Sequence, residues 1–337
     1  MAVRACIVGC AGLRLTPDER NFLKRVQPFG LILFKRNIEN RGQVADLTRS
    51  FREIVGRADA PILIDQEGGR VQRLGPPNWP AFPPAAHFGE LYARDQAQGV
   101  SATRLGARLI AAELSELAIN VDCMPVADLR LPETHDVIGD RAYAPAPDAV
   151  SRLARAAAEG LLEGGVLPVV KHVPGHGRAR ADSHRTLPVV DTPLAELQRT
   201  DFAAFRELND LPMAMTAHVV YAAVDPNLPA TISPKVVADV IRGWIGFDGI
   251  LMSDDLSMQA LAGSLGARAT AALAAGCDIA LHCNGRLPEM QQVAEAAPPL
   301  AGAAERRAHA ALSRLKPAPK IADLAEARAR FSAMIAA

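Results

Sequence analysis

The sequence predicts an α/β protein that folds as a single (β/α)8 TIM barrel. Eight short apolar runs recur along the chain, and amphipathic segments rich in alanine, leucine and arginine separate most of them. No segment resembles a linker between two domains. A length of 337 residues exceeds the usual domain size but is ordinary for one barrel. We therefore expect residues 1–337 to form one barrel domain with a helical tail from about 286 to 337.

The apolar runs are the candidate barrel strands. They are continuous rather than alternating in polarity, as expected for parallel strands that are buried on both faces. In chain order they are ACIVGC (5–10), GLILF (30–34), PILID (61–65), INVDCM (119–124), LPVVKH (167–172), PMAMTAH (212–218), GILMSDD (249–255) and CDIALHC (277–283).

The connections between these runs supply the predicted helices. They lie near 42–56, 99–117, 147–164, 193–208, 233–242 and 264–275, with tail helices near 286–297, 301–315 and 322–335. The segment GPPNWPAFPPAAHF (75–88) is interpreted as a long loop, because its prolines oppose both helix and sheet. An open doubly wound sheet is the alternative fold, but the chain contains neither GxGxxG nor GxxxxGK.

Composition argues against several classes of partner. The chain has 37 basic and 37 acidic side chains, so no charge excess favours nucleic acid or an anionic membrane. No apolar run approaches the roughly 18 residues that span a bilayer. The sequence does not define an oligomeric state, and a monomer is the expectation.

The N-terminus and the cysteines favour a cytoplasmic protein. Ile7-Val8-Gly9-Cys10 is similar to a bacterial lipoprotein cleavage box, but the apolar stretch before it is shorter than a secretory segment with its flanks. A first barrel strand over 4–10 explains the same residues. The five cysteines are odd in number and form no CxxC pair, so we expect reduced, mostly buried thiols.

Charged residues stand where the predicted strands end. Active sites of barrels lie at the carboxyl ends of the strands, and a buried run that finishes in a charge needs solvent, a partner or a function for it. A single such residue is as well explained by a helix cap or a turn. The set is harder to explain by caps alone: Asp65, Asp122, Lys171, His172, His218, Asp254 and Asp255.

The segment KHVPGHGRARADSHRTLP (171–188) admits three interpretations. His172 and His176 have the spacing of two zinc ligands on a helix, but the intervening Val-Pro-Gly opposes a helix there. A solvated loop with one core histidine is the second. The third is a mobile catalytic loop in which the carboxylate of Asp182 orients the imidazole of His184, which can exchange protons near neutral pH.

A proton donor needs a nucleophile or an activated water beside it. Asp254 follows a buried apolar run and would point into the mouth of the barrel, whereas Asp255 would point elsewhere and cap the following turn. A helix cap remains the alternative role for Asp254.

These motifs together resemble the family 3 glycoside hydrolases, in particular their bacterial β-N-acetylhexosaminidase branch, the cytoplasmic enzymes of cell-wall recycling. The resemblance spans about residues 6–290, with the motifs in the expected order, and the last forty residues contribute nothing to it. Its most specific part is KHVPGHG followed by DSH. The motifs are IDQEGGRVQRL (64–74), VIGDRAY (137–143), KHVPGHG (171–177), DSH (182–184) and FDGILMSDDLSM (247–258).

The resemblance implies roles for particular residues. Asp254 would be the nucleophile that forms a covalent glycosyl intermediate, and His184 the general acid/base with Asp182 as its partner. No metal or organic cofactor is expected. The positions that would hold the terminal N-acetylglucosamine are Asp65, Arg73, Arg141, Lys171 and His172.

The substrate implied is a small amino sugar or muropeptide, N-acetylglucosamine β-1,4-linked to (anhydro)N-acetylmuramic acid with or without peptide. Retaining glycosidases usually pair two carboxylates, and here a His–Asp pair would replace the acid. Arg178, Arg180 and Arg185 could meet carboxylates of this substrate, although solvated loop arginines explain at least two of them. Aromatics make up only 4% of the chain, which suits a pocket for one sugar better than a long cleft.

Three other functions stay open. A histidine acid/base leaves room for phosphate instead of water, which would make the protein a β-glycoside phosphorylase. A metal-dependent barrel hydrolase would use His172, His176 and His184. A sugar-binding protein without turnover is the last, and the combination of Asp254 with Asp182 and His184 argues against it.

Overall fold

A computed structural model describes residues 2–132, 134–179, 186–317 and 321–336. Its central feature is a barrel of eight parallel strands, which confirms the predicted fold class. The strands are shorter than most of the apolar runs that predicted them. They are β1 (Arg4–Val8), β2 (Pro28–Leu33), β3 (Ile62–Ile64), β4 (Val121–Asp122), β5 (Leu167–Val173), β6 (Met213–Thr216), β7 (Ile250–Met252) and β8 (Ala280–His282).

The strands pair in chain order around the barrel. Each of the first six pairs in parallel with the next, and β8 pairs in parallel with β1. One parallel bridge between Met252 and Ile279 brings β7 beside β8 and closes the ring. Because all eight strands run in the same direction, their carboxyl ends lie on one face. The peptide bonds Lys171–His172 and Val173–Pro174 are cis.

Helices surround the barrel and extend beyond β8. All the predicted helical segments contain helices, including the tail. The helices are α1 (Pro17–Val26), α2 (Arg41–Val55), α3 (Ala85–Arg94), α4 (Gln96–Glu116), α5 (Pro147–Glu163), α6 (Leu194–Arg199), α7 (Asp201–Arg206), a π-helix (Val236–Trp244), α8 (Leu265–Ala275), α9 (Leu287–Ala296), α10 (Gly302–Leu312) and α11 (Leu324–Ala336).

Two predictions of local structure are wrong in part. The expected loop over 75–88 ends in α3, because Pro84 stands at the N-cap and the alanines after it favour helix. The expected helix over 193–208 is two helices broken at Thr200, whose backbone lies at φ −120° and ψ −92°. Oγ1 of Thr200 lies 2.8 Å from both the carbonyl of Glu196 and the buried carboxylate of Asp201, and its single proton is shared between these two acceptors, which fixes the break.

Helix α1 was not predicted, although its signal stands in the sequence. Thr16 accepts from the amide of Glu19, and the Glu19 carboxylate accepts from the amide of Thr16, which together make a capping box. The pattern TPDE, with proline at the first turn, encodes this start.

Two apolar clusters form the core. One lies between the strands and the surrounding helices, and the other fills the barrel interior. Ala308 and Ala311 of α10 belong to the interior cluster, so this tail helix covers the end of the barrel opposite the strands' carboxyl ends. Within the part of the chain that the structure describes, no helix is both long enough and apolar enough to cross a bilayer.

Candidate active site

The carboxyl ends of the strands surround a cavity of about 230 Å³. All the described residues that the resemblance implies for the site line this cavity, as does Asp255, whereas Asp122 and His218 do not. Apolar side chains, among them Phe34 and Met258, form the rest of its wall. The charged and histidine residues of the wall are Asp65, Arg70, Arg73, Arg141, Lys171, His172, Asp254 and Asp255.

Asp65 follows β3 directly and holds two cations. Its Oδ1 accepts from Nζ of Lys171 at 2.9 Å, and its Oδ2 accepts from Nη2 of Arg73 at 2.8 Å. Burial raises the pKa of Asp65, but the charges of Lys171 and Arg73 outweigh it and hold the pKa below its ordinary value. The Asp65 carboxylate is therefore ionised at neutral pH, and hydrogen bonds hold both of its oxygens.

Glu67 joins Lys171 to Arg141, which comes from a different loop. Nε and Nη2 of Arg141 each donate to Glu67 at 2.8 Å, and Nζ of Lys171 lies 2.6 Å from Oε1 of the same carboxylate. Burial raises the pKa of Glu67, yet Arg141 and Lys171 lower it further than burial raises it. The pairs are nearly closed to solvent, since only 11% of the Arg141 side chain and 6% of the Glu67 side chain are exposed. A two-point guanidinium–carboxylate pair of this kind fixes orientation as well as charge.

A bulge brings two consecutive side chains of β5 into the cavity. Lys171 pairs with Met215 and Val173 pairs with Thr216, so His172 is an extra residue in the pairing. Asp128 holds His172 in place, because its Oδ2 lies 2.7 Å from Nδ1 of the ring. Burial raises the pKa of Asp128 and the His172 charge lowers it below its ordinary value. An ionised carboxylate only accepts, so Nδ1 donates and Nε2 remains for a ligand.

Asp254 lies two residues beyond the end of β7, and hydrogen bonds fix the turn that holds it. The amide of Asp254 donates to Oγ1 of Thr216 at 3.3 Å, and Oδ1 of Asp254 accepts from the amide of Asp255 at 2.8 Å. Burial raises the pKa of Asp254, but His218, His172 and the Asp255 amide lower it below its ordinary value. The carboxylate is therefore ionised at neutral pH and lies in the cavity that the cations line.

Asp255 and His218 support this turn. Asp255 accepts from the amide and hydroxyl of Ser257, at 3.1 and 2.5 Å, as the expected turn cap. His218 is buried, with Nδ1 2.7 Å from Oγ1 of Thr231 and Nε2 3.0 Å from the carbonyl of Asp255. Burial lowers the pKa of His218. The polar ends of two neighbouring strands thus act together to place Asp254.

Asp122 does not reach the mouth, contrary to the expectation for the strand-end charges. Its side chain is fully buried in β4, where Oδ1 accepts from the amide of Gln66 at 3.0 Å. Burial raises its pKa well above the ordinary value. Asp122 therefore supports the chain at the end of β3 and does not line the cavity.

The candidate acid/base residues Asp182 and His184 lie outside the described residues, as do Arg180 and Arg185. The start of their loop is described. Arg178 pairs with Asp201 at 2.7 Å and with Glu196 at 2.9 Å, so its guanidinium is held by carboxylates of this chain.

His176 is buried beside His172, with the two ring centroids 5.8 Å apart and the rings edge to face. Its amide donates to Asp128 at 2.6 Å, and burial lowers the pKa of its ring to about 4. Among the described residues, no three His, Cys, Asp or Glu side chains are arranged to hold a metal ion. His184, the third residue of the zinc interpretation, is outside that set.

Sequence reasoning missed three residues that organise the site. Glu67 is part of the IDQEGGRVQRL motif, but nothing in the motif shows that its carboxylate joins Arg141 to Lys171. Asp128 lies in an irregular stretch after β4, and Thr216 is the last residue of β6. A buried charge or hydroxyl close to a strand's carboxyl end was the available signal.

Comparisons with known proteins show the family of this chain. The model of the glycosyl hydrolase family 3 N-terminal domain matches residues 4–316. The beta-hexosaminidase of Bordetella avium is 40% identical over 284 residues, which cover 82% of this chain and 80% of that protein. The beta-hexosaminidase of Chromobacterium violaceum is 41% identical over 297 residues, 87% of this chain and 82% of that protein.

Solved structures are also similar to this chain over nearly its whole length. NagZ from Neisseria gonorrhoeae, in complex with N-trifluoroacetyl-D-glucosamine, superimposes with a TM-score of 0.89 at 31% identity and covers 99% of both chains. The family 3 beta-N-acetylglucosaminidase of Paenibacillus sp. gives 0.86 at 30% identity, over 98% of this chain and 67% of that one. The chain is a glycoside hydrolase and belongs to glycosyl hydrolase family 3.

Proposed function

We propose that the protein is a retaining exo-β-N-acetylglucosaminidase whose nucleophile is Asp254. The observation that carries the proposal is one cavity that combines an ionised Asp254 carboxylate with the charged cluster of Asp65, Arg73, Arg141 and Lys171. Relatives named beta-hexosaminidase and a neighbour solved with an N-acylated glucosamine support the same sugar.

The charged cluster suits the hydroxyl groups of one terminal sugar. Asp65 can accept from hydroxyls, while Lys171 and Arg73 donate to them. Because these side chains already hold one another in place, little conformational entropy is lost when a sugar binds. A cavity of about 230 Å³ admits a single residue of a glycan, which fits removal from a chain end.

In the first half of the reaction, a carboxylate oxygen of Asp254 attacks the anomeric carbon. The bond from that carbon to the leaving oxygen breaks as His184 gives the oxygen a proton. The carboxylate of Asp182 orients the His184 ring and favours its protonated form. The product is a glycosyl ester of Asp254. Because the pKa of Asp254 is lowered, its carboxylate is already in the ionised form that attacks at neutral pH.

In the second half, His184 takes a proton from water, and the oxygen of that water attacks the anomeric carbon. The ester bond to Asp254 breaks and the carboxylate is restored, so the sugar keeps its β configuration after two inversions. Neither half needs a metal or an organic cofactor.

The proposed substrate is N-acetylglucosamine β-1,4-linked to (anhydro)N-acetylmuramic acid, with or without peptide, as in peptidoglycan recycling. A histidine acid/base adds no second negative charge beside a leaving group that carries a carboxylate. A cytoplasmic location is part of the proposal, and the five buried, unpaired cysteines support it because thiols persist in a reducing compartment.

Hydrolysis of an aryl β-N-acetylglucosaminide tests the proposal, with the first-formed anomer identified by NMR. We expect β-N-acetylglucosamine to form, and Asp254→Asn to lower kcat by about 10³-fold or more. Asp248→Asn is the matched control, since that side chain is 62% exposed. Inverted product, or wild-type kcat in Asp254→Asn, would refute the assignment.

Added phosphate separates hydrolysis from phosphorolysis in the same assay. We expect free sugar with and without phosphate. Sugar 1-phosphate as the product would instead identify a phosphorylase acting through the same nucleophile.

A further inference from the structure

Helix α11 (Leu324–Ala336) lies beyond the residues that match the family model, which end at 316. We propose that this helix positions the Glu67–Arg141 pair and that Phe331 is its positioning residue. The inference rests on the proposed function, because it assumes that Arg141 binds the sugar. Two chains of contacts lead from Phe331 to the pair.

Phe331 is the buried side chain of α11. It is 6% exposed, and its ring centroid lies 6.0 Å from that of Phe82 and 6.2 Å from that of Phe88. Gly106 of α4 makes room for it, since a Cβ there would lie 2.8 Å from the ring. Such aromatic contacts add to the free energy gained by burial alone.

The first route runs through Phe82 to the hairpin that carries Glu67. The hairpin strands are Gln66–Gly68 and Val71–Gln72. The amide of Phe82 donates to Oε1 of Gln72 at 2.9 Å, and its carbonyl accepts from the amide of Gly69 at 2.8 Å. A shift of Phe82 therefore displaces the turn and the second strand of the hairpin, and Glu67 with them.

The second route runs through α3 to the turn that carries Arg141. Phe88 contacts Phe331, and Nε2 of His87 lies 3.0 Å from the carbonyl of Ile335, near the end of α11. Gly89 follows Phe88 in α3, and the carbonyl of Tyr143 occupies the space that a Cβ at Gly89 would take. Tyr143 follows Arg141 by two residues, so α3 packs directly against that turn.

The two routes meet beneath the ion pair. One small cavity is lined by Glu67, Phe82, Phe88 and Tyr143, among others. Because a binding site must hold its side chains to within about 0.5 Å, loosening this layer misplaces Arg141 without touching the sugar. The expected signature is weaker binding with little change in the chemical step.

The experiment compares Phe331→Ala and Phe331→Leu with Phe22→Ala in the full-length protein. Phe22 is 2% exposed on α1, and its loss also destabilises the core but away from the hairpin. For Phe331→Ala we expect KM for the aryl N-acetylglucosaminide to rise about tenfold, equivalent to about 1.4 kcal/mol, with kcat within about twofold. Phe331→Leu should recover most of the affinity, and Phe22→Ala should leave KM unchanged.

Hydrogen exchange of the amides in 66–72 and 139–143 gives a readout that does not depend on turnover. We expect faster exchange in both segments in Phe331→Ala, a smaller increase in Phe331→Leu, and none in Phe22→Ala. Phe331→Leu is measured where Phe331→Ala fails to fold. Unchanged exchange with unchanged KM overturns the proposal. Faster exchange with unchanged KM upholds the positioning role and refutes instead the assignment of Arg141 to sugar binding.

Discussion

Replacing Glu67 with glutamine removes the negative charge that joins Arg141 to Lys171 while keeping the shape of the side chain. In the native protein this carboxylate receives two bonds from Arg141 and one contact from Lys171, at 2.6–2.8 Å. The Glu67→Gln variant leaves Arg141 as a buried cation without a carboxylate, and Lys171 with Asp65 alone.

The magnitude follows from this burial. Breaking a buried ion pair by removing one partner costs about 3–5 kcal/mol, since the remaining charge is uncompensated. With an unfolding entropy of about 2.1 cal/mol/K per residue, that loss lowers the Tm of this chain by about 4–7 °C. Because Arg141 and Lys171 also lose their positions, KM for the N-acetylglucosaminide should rise about tenfold or more.

The effect has a defined pH dependence. The native pKa of Glu67 is lowered from 4.5, so its charge contributes stability that is fully present above pH 4.5 and lost as the pH falls through the lower native value. The difference in Tm between wild type and Glu67→Gln should therefore be largest at neutral pH and shrink below pH 4.5.

Glu113→Gln is the matched control. Glu113 is also a buried glutamate with two arginine partners, but Arg41 and Arg328 remain 40% and 46% exposed. Water can solvate them after the change, so we expect a loss of about 1 kcal/mol. Phe331 still holds α11 against Phe82 and Phe88, so KM should stay within about twofold of wild type. Calorimetry and steady-state kinetics decide the matter: a Glu67→Gln protein with wild-type Tm and KM would refute the reasoning.

Three further predictions concern neighbouring groups. Asp128→Asn should lower kcat/KM and alter its pH profile, because an amide no longer fixes the proton on Nδ1 of His172; an unchanged profile would contradict the positioning role. Thr216→Val removes the acceptor for the Asp254 amide, and kcat should fall about tenfold with KM little changed. His176 has its pKa lowered to about 4, so it contributes stability that is lost as the pH falls from 6.5 towards 4. His176→Asn should flatten the dependence of Tm on pH in that window, and an equal slope in both proteins would argue against it.

The barrel itself was predictable because buried parallel strands have a clear signature. The eight apolar runs correspond one to one with the eight barrel strands, although most strands are shorter. The helix break at Thr200 was not predictable, since it depends on the buried Asp201 carboxylate that also pairs with Arg178, a contact distant along the chain. Helix α1 was overlooked although its capping box is a local signal.

The site was predictable where a charge ends a strand and less so elsewhere. Asp65, Lys171, His172 and Asp254 line one cavity, as the positions of their strands imply. Asp122 also stands near the end of a predicted strand, yet its side chain is buried away from the cavity. An apolar run does not show which way the charged side chain at its end points. Partners brought in by loops, such as Glu67 for Arg141, follow only from the three-dimensional arrangement.

The central claim is that Asp254 forms a covalent bond to the sugar. The most direct test incubates the protein with a fluorinated N-acetylglucosaminyl fluoride that slows the second half of the reaction, followed by peptide mass spectrometry. The account predicts one added glycosyl group, located on Asp254 in the peptide that contains residues 250–258, and none in Asp254→Asn. A glycosyl group on another residue, or none while the sugar fluoride is hydrolysed with inversion, would contradict it.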